Sequence, residues 1–131
     1  MLRAVSRSPR KRAGKGRRPR TSHGAPDLGA FAGPVCVTGG SGFIGSHVVH
    51  QLVEMGREVR CLVLPTDPAP LLQGLDVERV DGDLLDTKAL DRAMDGCELV
   101  IHLAAIYALW LPDPSLIYRV NVDGTRGVMS A

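Results

Sequence analysis

A glycine cluster near residue 40 is the feature of this sequence best suited to chemistry. Gly40, Gly42 and Gly45 fit the pattern G-x-G-x-x-G. With Gly39 as its first glycine and Thr38 before it, the cluster also fits T-G-x-x-G-x-x-G. In either pattern one glycine permits a tight turn, another lets backbone N–H groups approach a pyrophosphate, and the last lets a helix pack closely. The cluster therefore predicts a dinucleotide site.

The residues around the cluster supply the strand and helix that such a site needs. The β-rich run 35–38 precedes it directly. Apolar residues then follow with helical spacing at Val48, Leu52 and Met55, and a second strand is predicted over 59–64. The glycines thus lie within a compact βαβ unit, a context that favours a nucleotide site over a glycine-rich turn without a ligand. No Lys-Ser or Lys-Thr pair follows the last glycine, which excludes a P-loop.

The cofactor's identity depends on the end of the second predicted strand. About 20 residues beyond the glycines, an acidic residue commonly holds the ribose 2′-OH of NAD, whereas an arginine favours NADP. Counting from Gly45 reaches Leu64 and Pro65, which are neither. Asp67 stands slightly later among turn residues, and Arg60 stands inside the strand. The sequence therefore indicates NAD or NADP without a preference.

The remaining sequence alternates strands with helices. A third strand is predicted over 77–80, followed by a helix that Asp86 caps and Gly96 closes. The apolar run 99–105 predicts a fully buried fourth strand, and the last helix is expected to begin near Pro114. This order predicts an α/β fold, a Rossmann-type doubly wound parallel sheet with right-handed crossovers. The sheet is expected to be truncated after about four strands, which leaves the fourth at an edge.

Charge divides the chain into two parts. The first thirty residues hold nine of the sixteen basic residues and one acid, a net charge of +8. The rest hold seven basic and thirteen acidic residues, a net charge of −6. We expect a disordered basic tail over residues 1–33 and an NAD(P)-binding domain over residues 34–131. The tail has three open interpretations: a nucleic-acid or membrane-surface arm without specific nucleic-acid recognition, an organelle transit peptide, or a non-functional extension.

Composition argues against several other classes of protein. The three cysteines, Cys36, Cys61 and Cys97, are odd in number and contain no CxxC pair, so neither a disulfide framework nor a zinc site is expected. His47 and His50 lack a nearby third ligand, and no metal is expected. No apolar run reaches the ~18–20 residues that a membrane span needs. We therefore expect a soluble, cytoplasmic protein that does not bind membranes.

Four motifs follow one another along the chain: 38–47 (TGGSGFIGSH), 82–84 (GDL), 102–105 (HLAA) and 121–126 (NVDGTR). Through them, residues 35–131 resemble the extended short-chain dehydrogenase/reductases, the NAD-dependent epimerase/dehydratase group. Two further segments, 59–63 and 107–114, are similar to dihydroflavonol-reductase-like and hopanoid-associated sugar epimerase-like members. Those relatives often carry arginine where this chain has Leu64.

The resemblance implies a role for each motif. The glycine loop would line the pyrophosphate, Asp83 would accept a hydrogen bond from the adenine amino group, and Leu84 would pack beside the ring. Residues 103–105 would lie under the ribose and nicotinamide, and Asn121 resembles the helix asparagine that organises the proton relay. Alternatively, Asp83 caps a turn and Asn121 satisfies backbone groups beside the fourth strand. The implied cofactor-binding residues are Gly39, Gly42, Phe43, Ile44, Gly45, Asp83, Leu84, Leu103, Ala104, Ala105 and Asn121.

The family's catalytic pair has no counterpart in this sequence. Members transfer hydride with Tyr-x-x-x-Lys, in which the lysine lowers the tyrosine pKa so that the phenol can exchange a proton near neutral pH. Four residues after Tyr107 comes Leu111, and four after Tyr118 comes Val122. We therefore expect no catalytic residue among these 131 positions. His102, within an apolar run, is interpreted as a core histidine with a hydrogen-bonded ring.

Three functions fit these features. The first is the nucleotide-binding portion of a reductase, epimerase or dehydratase that is inactive alone, with a small-molecule substrate only in an intact parent. The second is a non-catalytic NAD(P)-sensing module, and the third is a nucleic-acid-associated protein that uses the basic tail. The resemblance also implies homodimers, which are frequent in the family.

Overall fold

The computed structural model describes residues 31–131, which form a parallel sheet with helices on both faces. The spatial order of the four strands is β3-β2-β1-β4, and each neighbouring pair is parallel. The chain therefore runs outward from β1 to β3 and then crosses back to β4 beside β1, which confirms the Rossmann-type fold class. The strands are β1 (Val35–Thr38), β2 (Val59–Val63), β3 (Glu78–Asp81) and β4 (Leu99–His102).

The helices connect these strands and close the chain. The last three helical pieces pass into one another through right-handed helical dihedral angles, so they form one continuous helix with a π-helical middle. No helix in the described part of the chain is long and apolar enough to cross a membrane. The helices are α1 (Phe43–Glu54), a 3-10 turn (Pro70–Leu72), α2 (Thr87–Met94), α3 (Ser115–Tyr118), the π segment (Arg119–Gly124) and α4 (Thr125–Ser130).

Strand β1 is buried on both of its faces, which explains its continuous apolar run. Alternate side chains of a strand point to opposite faces of the sheet. Val35 and Val37 belong to one core cluster with Leu52 of α1, whereas Cys36 belongs to a second cluster with Leu90 of α2. A strand covered on both faces is typical of parallel α/β sheets.

The buried face of α1 only partly matches the apolar spacing seen in the sequence. Of Val48, Leu52 and Met55, Leu52 is buried, and the other buried apolar side chain is Val49, in line with Gly45. Val48 is only partly buried, and Met55 is 42% exposed. Gly45 faces the glycine loop, where an added Cβ would collide with the carbonyl oxygen of Gly39, and Val49 and Leu52 lie on the same side of the helix.

Strand β4 is shorter and less buried than predicted. The expected strand over 99–105 ends at His102, and Val100 remains 36% exposed. Among the described residues, β4 pairs with β1 alone, so it is the edge expected of the fourth strand. The N–H of Leu103 still donates to the carbonyl of Thr38 at 3.0 Å, and the chain then passes beside the glycine loop.

Both ends of α2 are capped. The predicted cap is confirmed, because the Asp86 carboxylate accepts from the N–H of Lys88 at 3.0 Å and Gly96 takes a left-handed φ of +70°. At the C-terminus, Arg60 from β2 donates to the carbonyl of Asp95 at 2.8 Å and to that of Ala93 at 3.2 Å. A guanidinium at this end also complements the helix dipole.

The predicted basic tail falls almost wholly outside the described residues. Of its positions, only 31–33 are described, and two of these contact the domain. The N–H of Ala32 donates to the Glu98 carboxylate at 2.8 Å, and the carbonyl of Gly33 accepts from Arg57 at 3.2 Å.

Candidate nucleotide-binding site

A cavity of about 430 Å³ lies at the edge of the sheet where β1, β2 and β4 end. Its volume falls within the ~300–1,000 Å³ that is usual for small-molecule sites. It also lies where the chain order reverses between β1 and β4, the position at which open α/β sheets bind ligands. Seven of the predicted site residues line it, namely Gly39, Gly42, Asp83, Leu84, Leu103, Ala104 and Ala105.

Gly39 and Gly45 close the turn between β1 and α1. Gly39 has a φ of +73°, and a Cβ there would lie 2.6 Å from the backbone nitrogen of Ala104. A Cβ on Gly45 would collide with the carbonyl oxygen of Gly39. Both positions therefore need glycine for the fold itself, since the first requires a left-handed backbone and each requires close approach.

Gly42 is different, because the protein alone does not require a glycine there. Its φ of −75° suits any residue, and the nearest atom to an added Cβ would be the Gly39 oxygen at 3.4 Å. Gly42 is exposed, lines the cavity and is the N-cap residue of α1. A side chain at this position would fill space in the cavity rather than space within the protein. This cradle at a helix N-terminus fits a pyrophosphate.

Phe43 and Ile44 do not line the cavity, and their side chains are 76% and 68% exposed. The Phe43 ring packs against His47 with the ring centroids 4.9 Å apart. Only the backbone of these two residues, in the first turn of α1, is thus suited to contact a ligand. First-turn N–H groups have no partner within their own helix, and the N-cap residue Gly42 has no side chain that could accept from them.

Asp83 caps a turn, as one of its two interpretations expected, and it also lines the cavity. Its Oδ1 accepts from the N–H of Leu85 at 2.8 Å. The neighbouring Gly82 lets α2 approach, because a Cβ there would collide with that of Ala89. Leu84 is buried against Gly124, where an added Cβ would lie 2.6 Å from its side chain.

Asn121 lies in the π segment and holds the cavity wall rather than lining it. Its Oδ1 accepts from the N–H of Ile106 at 2.8 Å, and its Nδ2 donates to the carbonyl of the same residue at 2.9 Å. Ile106 lines the cavity directly. Of the two interpretations of Asn121, these contacts match the one in which its amide satisfies backbone groups beyond β4.

His102 lies beneath the cavity with both ring nitrogens engaged. Nδ1 is 2.6 Å from the hydroxyl oxygen of Thr38, and Nε2 is 3.0 Å from that of Thr125. Burial lowers the pKa of this imidazole. These contacts support the interpretation of His102 as a structural histidine with a hydrogen-bonded ring.

Sequence reasoning did not assign the other part of the cavity wall. Two carboxylates, those of Asp67 and Asp83, belong to the described residues that line the cavity, and no basic side chain does. Asp67 stands later in the chain than the usual acidic position, and its approach depends on how the loop after β2 folds. The unassigned lining residues are Thr38, Ser41, Leu62, Leu64, Asp67, Gly82, Ile106, Leu116 and Val120.

Comparison with known proteins identifies relatives of this domain. Residues 36–131 match the 3-beta hydroxysteroid dehydrogenase/isomerase family. The ceramide reductase of Caulobacter vibrioides is 38% identical over 99 residues, which are 76% of this chain and 31% of that protein. The bifunctional dihydroflavonol 4-reductase/flavanone 4-reductase of Malus domestica is 33% identical over 113 residues, or 79% of this chain and 32% of that protein.

A solved structure with a similar fold is also found. The UDP-glucose 4-epimerase of Thermus thermophilus, solved in complex with NAD, superposes with a TM-score of 0.65 at 34% identity. The match covers 74% of this chain and 32% of the epimerase chain. The present chain thus spans about a third of the length of these relatives.

Proposed function

The chain belongs to the 3-beta hydroxysteroid dehydrogenase/isomerase family within the extended short-chain dehydrogenase/reductases, and from this premise we propose that its cavity binds NAD or NADP. The observation that carries the proposal is Gly42. The fold tolerates a side chain at this position, yet the residue is glycine and faces the cavity at the start of α1. A ligand that occupies the cradle accounts for the missing side chain.

The proposed binding mode follows the cavity wall. The pyrophosphate lies against the backbone of the glycine loop and the first turn of α1, where the helix dipole favours negative charge. The adenine lies between Asp83 and Leu84, and residues 103–105 lie beneath the ribose and nicotinamide. Ala104 and Ala105 are small, which leaves room for a ligand in close contact. The nicotinamide, when bound, supplies the hydride acceptor or donor.

We propose that these residues bind the cofactor without transferring hydride. Neither tyrosine lines the cavity, and Tyr107 is 94% exposed. The single lysine of the described residues, Lys88, lies on α2 and is also exposed. No tyrosine–lysine pair is therefore assembled in the part of the chain that the structure describes. Reductase, epimerase or dehydratase activity on a substrate would need a Tyr-x-x-x-Lys pair, which these 131 residues do not contain.

The cysteines support a reducing location, for which we propose the cytoplasm. All three are free thiols. Burial raises the pKa of Cys36 to about 12 and that of Cys61 to about 11, so both remain uncharged at neutral pH. Buried neutral thiols act as small apolar residues of the core.

Isothermal titration of the whole chain tests the proposal. We expect the wild type to bind NAD or NADP, and Gly42→Val to bind at least about tenfold more weakly, which corresponds to about 1.4 kcal/mol. Gln73→Val is the control, since Gln73 is exposed in a loop and does not line the cavity. Equal affinity of wild type and Gly42→Val, with both variants folded by circular dichroism, would sink the assignment.

A further inference from the structure

We propose that Asp67 makes the cavity selective for NAD over NADP. The inference rests on the proposed function, because it assumes that the adenosine ribose lies at the β2 side of the cavity. The position that usually decides between the two cofactors, at the end of the second strand, is taken by the apolar Leu64. A charge that discriminates between NAD and NADP would therefore have to come from another residue.

The loop after β2 folds so that Asp67 reaches the cavity. The N–H of Asp67 donates to the carbonyl of Leu64 at 2.9 Å, which turns the chain back on itself. Both residues consequently line the cavity, although three positions separate them in the sequence. The turn places the Asp67 carboxylate near Leu64, whose own side chain carries no charge and cannot accept a hydrogen bond.

The Asp67 carboxylate is held by the backbone of its own loop. Its Oδ1 accepts from the N–H of Ala69 at 2.8 Å. Ala69 itself has a left-handed φ of +45°, and its methyl group is buried in the core, which anchors the end of the loop. The pKa of Asp67 is lowered, first by the neighbouring Ser41 side chain and then by the Ala69 N–H. The group is thus an anion at neutral pH, and Ser41 of the glycine loop lines the same cavity.

No basic side chain is among the described residues that line the cavity. The charge of Arg79 does act on Asp67 and contributes to its lowered pKa, but the guanidinium is engaged elsewhere: it donates to the carbonyl of Leu64 at 3.1 Å, and its Nε pairs with the Asp81 carboxylate at 2.6 Å. A ribose 2′-hydroxyl can donate to the Asp67 carboxylate, whereas a 2′-phosphate would meet it as a like charge. At a separation of about 5 Å, one pair of like charges weakens binding about fourfold in water and over a hundredfold at a dielectric of ~20.

The test compares the affinities of NAD and NADP by isothermal titration of the whole chain. We expect the wild type to bind NAD at least about tenfold more tightly than NADP. Asp67→Asn keeps an oxygen for the Ala69 N–H and removes the charge, so the ratio should fall toward one through a gain in NADP affinity. The control is Asp76→Asn, which removes an exposed carboxylate that does not line this cavity.

Each outcome is decisive. If the preference for NAD over NADP shrinks in Asp67→Asn and keeps its wild-type size in Asp76→Asn, the role of Asp67 is supported. A wild type that binds both cofactors equally or prefers NADP, or an unchanged ratio in Asp67→Asn, overturns it while leaving the proposed function intact. A wild type that binds neither cofactor overturns the proposed function and this inference together. Melting curves of both variants confirm that the comparison is between folded proteins.

Discussion

Thr38 and His102 are directly paired across β1 and β4, and their side chains share a hydrogen bond of 2.6 Å. The hydroxyl of Thr125 donates to the carbonyl of Asn121 at 2.7 Å, so its oxygen accepts from the His102 Nε2–H. Nδ1 must then accept from the Thr38 hydroxyl, whose oxygen receives the N–H of Ala104 at 3.3 Å. The network assigns His102 as the neutral Nε2–H tautomer and links the sheet to the C-terminal helix.

Acidification is expected to destabilise the fold through His102. Burial lowers its pKa in the folded state below the ordinary value of about 6.5, so the unfolded chain binds a proton more readily. The stability that depends on the neutral ring is complete above pH ~6.5 and falls as the pH drops toward the folded-state pKa. Thermal melts in steps from pH 7.5 to 5.0 should show a falling Tm.

His102→Gln provides the comparison for that experiment. Glutamine can donate and accept without titrating, so the variant should melt lower at pH 7.5 but lose less stability on acidification. His47→Gln is the matched control, since His47 is exposed on α1, and its pH profile should follow that of the wild type. Parallel curves for wild type and His102→Gln would show that His102 does not cause the pH effect.

Alanine substitutions of the two glycines at the start of α1 should affect different properties, stability at Gly45 and dinucleotide affinity at Gly42. Gly45→Ala drives a methyl group into the Gly39 carbonyl and should cost about 1–3 kcal/mol or more of the free energy of unfolding. Gly42→Ala should melt close to the wild type yet bind the dinucleotide more weakly. Urea unfolding followed by titration separates the two properties. A strong loss of stability in Gly42→Ala would contradict the structural distinction between these positions.

Arg60 should contribute to stability through α2 rather than through the cavity. Its guanidinium caps the end of that helix and pairs with Glu78 at 2.7 Å, with only 15% of the side chain exposed. Arg60→Met should lower the free energy of unfolding by about 1.5–3 kcal/mol, the range of hydrogen bonds to charged groups. Arg92→Met, at an exposed position of the same helix, should change it by less than about 0.5 kcal/mol. Similar unfolding midpoints for both variants would refute the capping role.

Asn121→Ala should loosen one wall of the cavity. The variant loses both hydrogen bonds to the backbone of Ile106, so that amide should exchange with deuterium faster. Dinucleotide affinity should fall because Ile106 lines the cavity. Asn121→Asp, which retains the acceptor oxygen, should recover part of the protection. Unchanged exchange at Ile106 in Asn121→Ala would show that other contacts hold this segment.

The features that local sequence determines were predicted correctly. The cap at Asp86 and the glycine that ends α2 at position 96 depend on neighbours within a few residues, and sequence reasoning located both. The apolar spacing in α1 identified Leu52 but not Val49, which lies in line with Gly45, because helical periodicity does not record the close approach of Gly45 to Gly39.

The loop after β2 and the edge strand β4 show the same limit of prediction from local sequence. The approach of Asp67 to the cavity depends on a turn and on the left-handed Ala69, a conformation unusual for a residue other than glycine. Nothing in the apolar run 99–105 indicates the residue at which strand pairing ends. It ends at His102 because the next residues leave the sheet to pass the glycine loop.

The segment from Leu103 to Ile106 is fastened at both ends. Strand β1 holds its start through the Thr38 carbonyl, and the π segment holds its end through the Asn121 amide. All four of its residues line the cavity. A shift of the C-terminal helix relative to β1 would therefore have to break one of these hydrogen bonds or move the cavity wall with it.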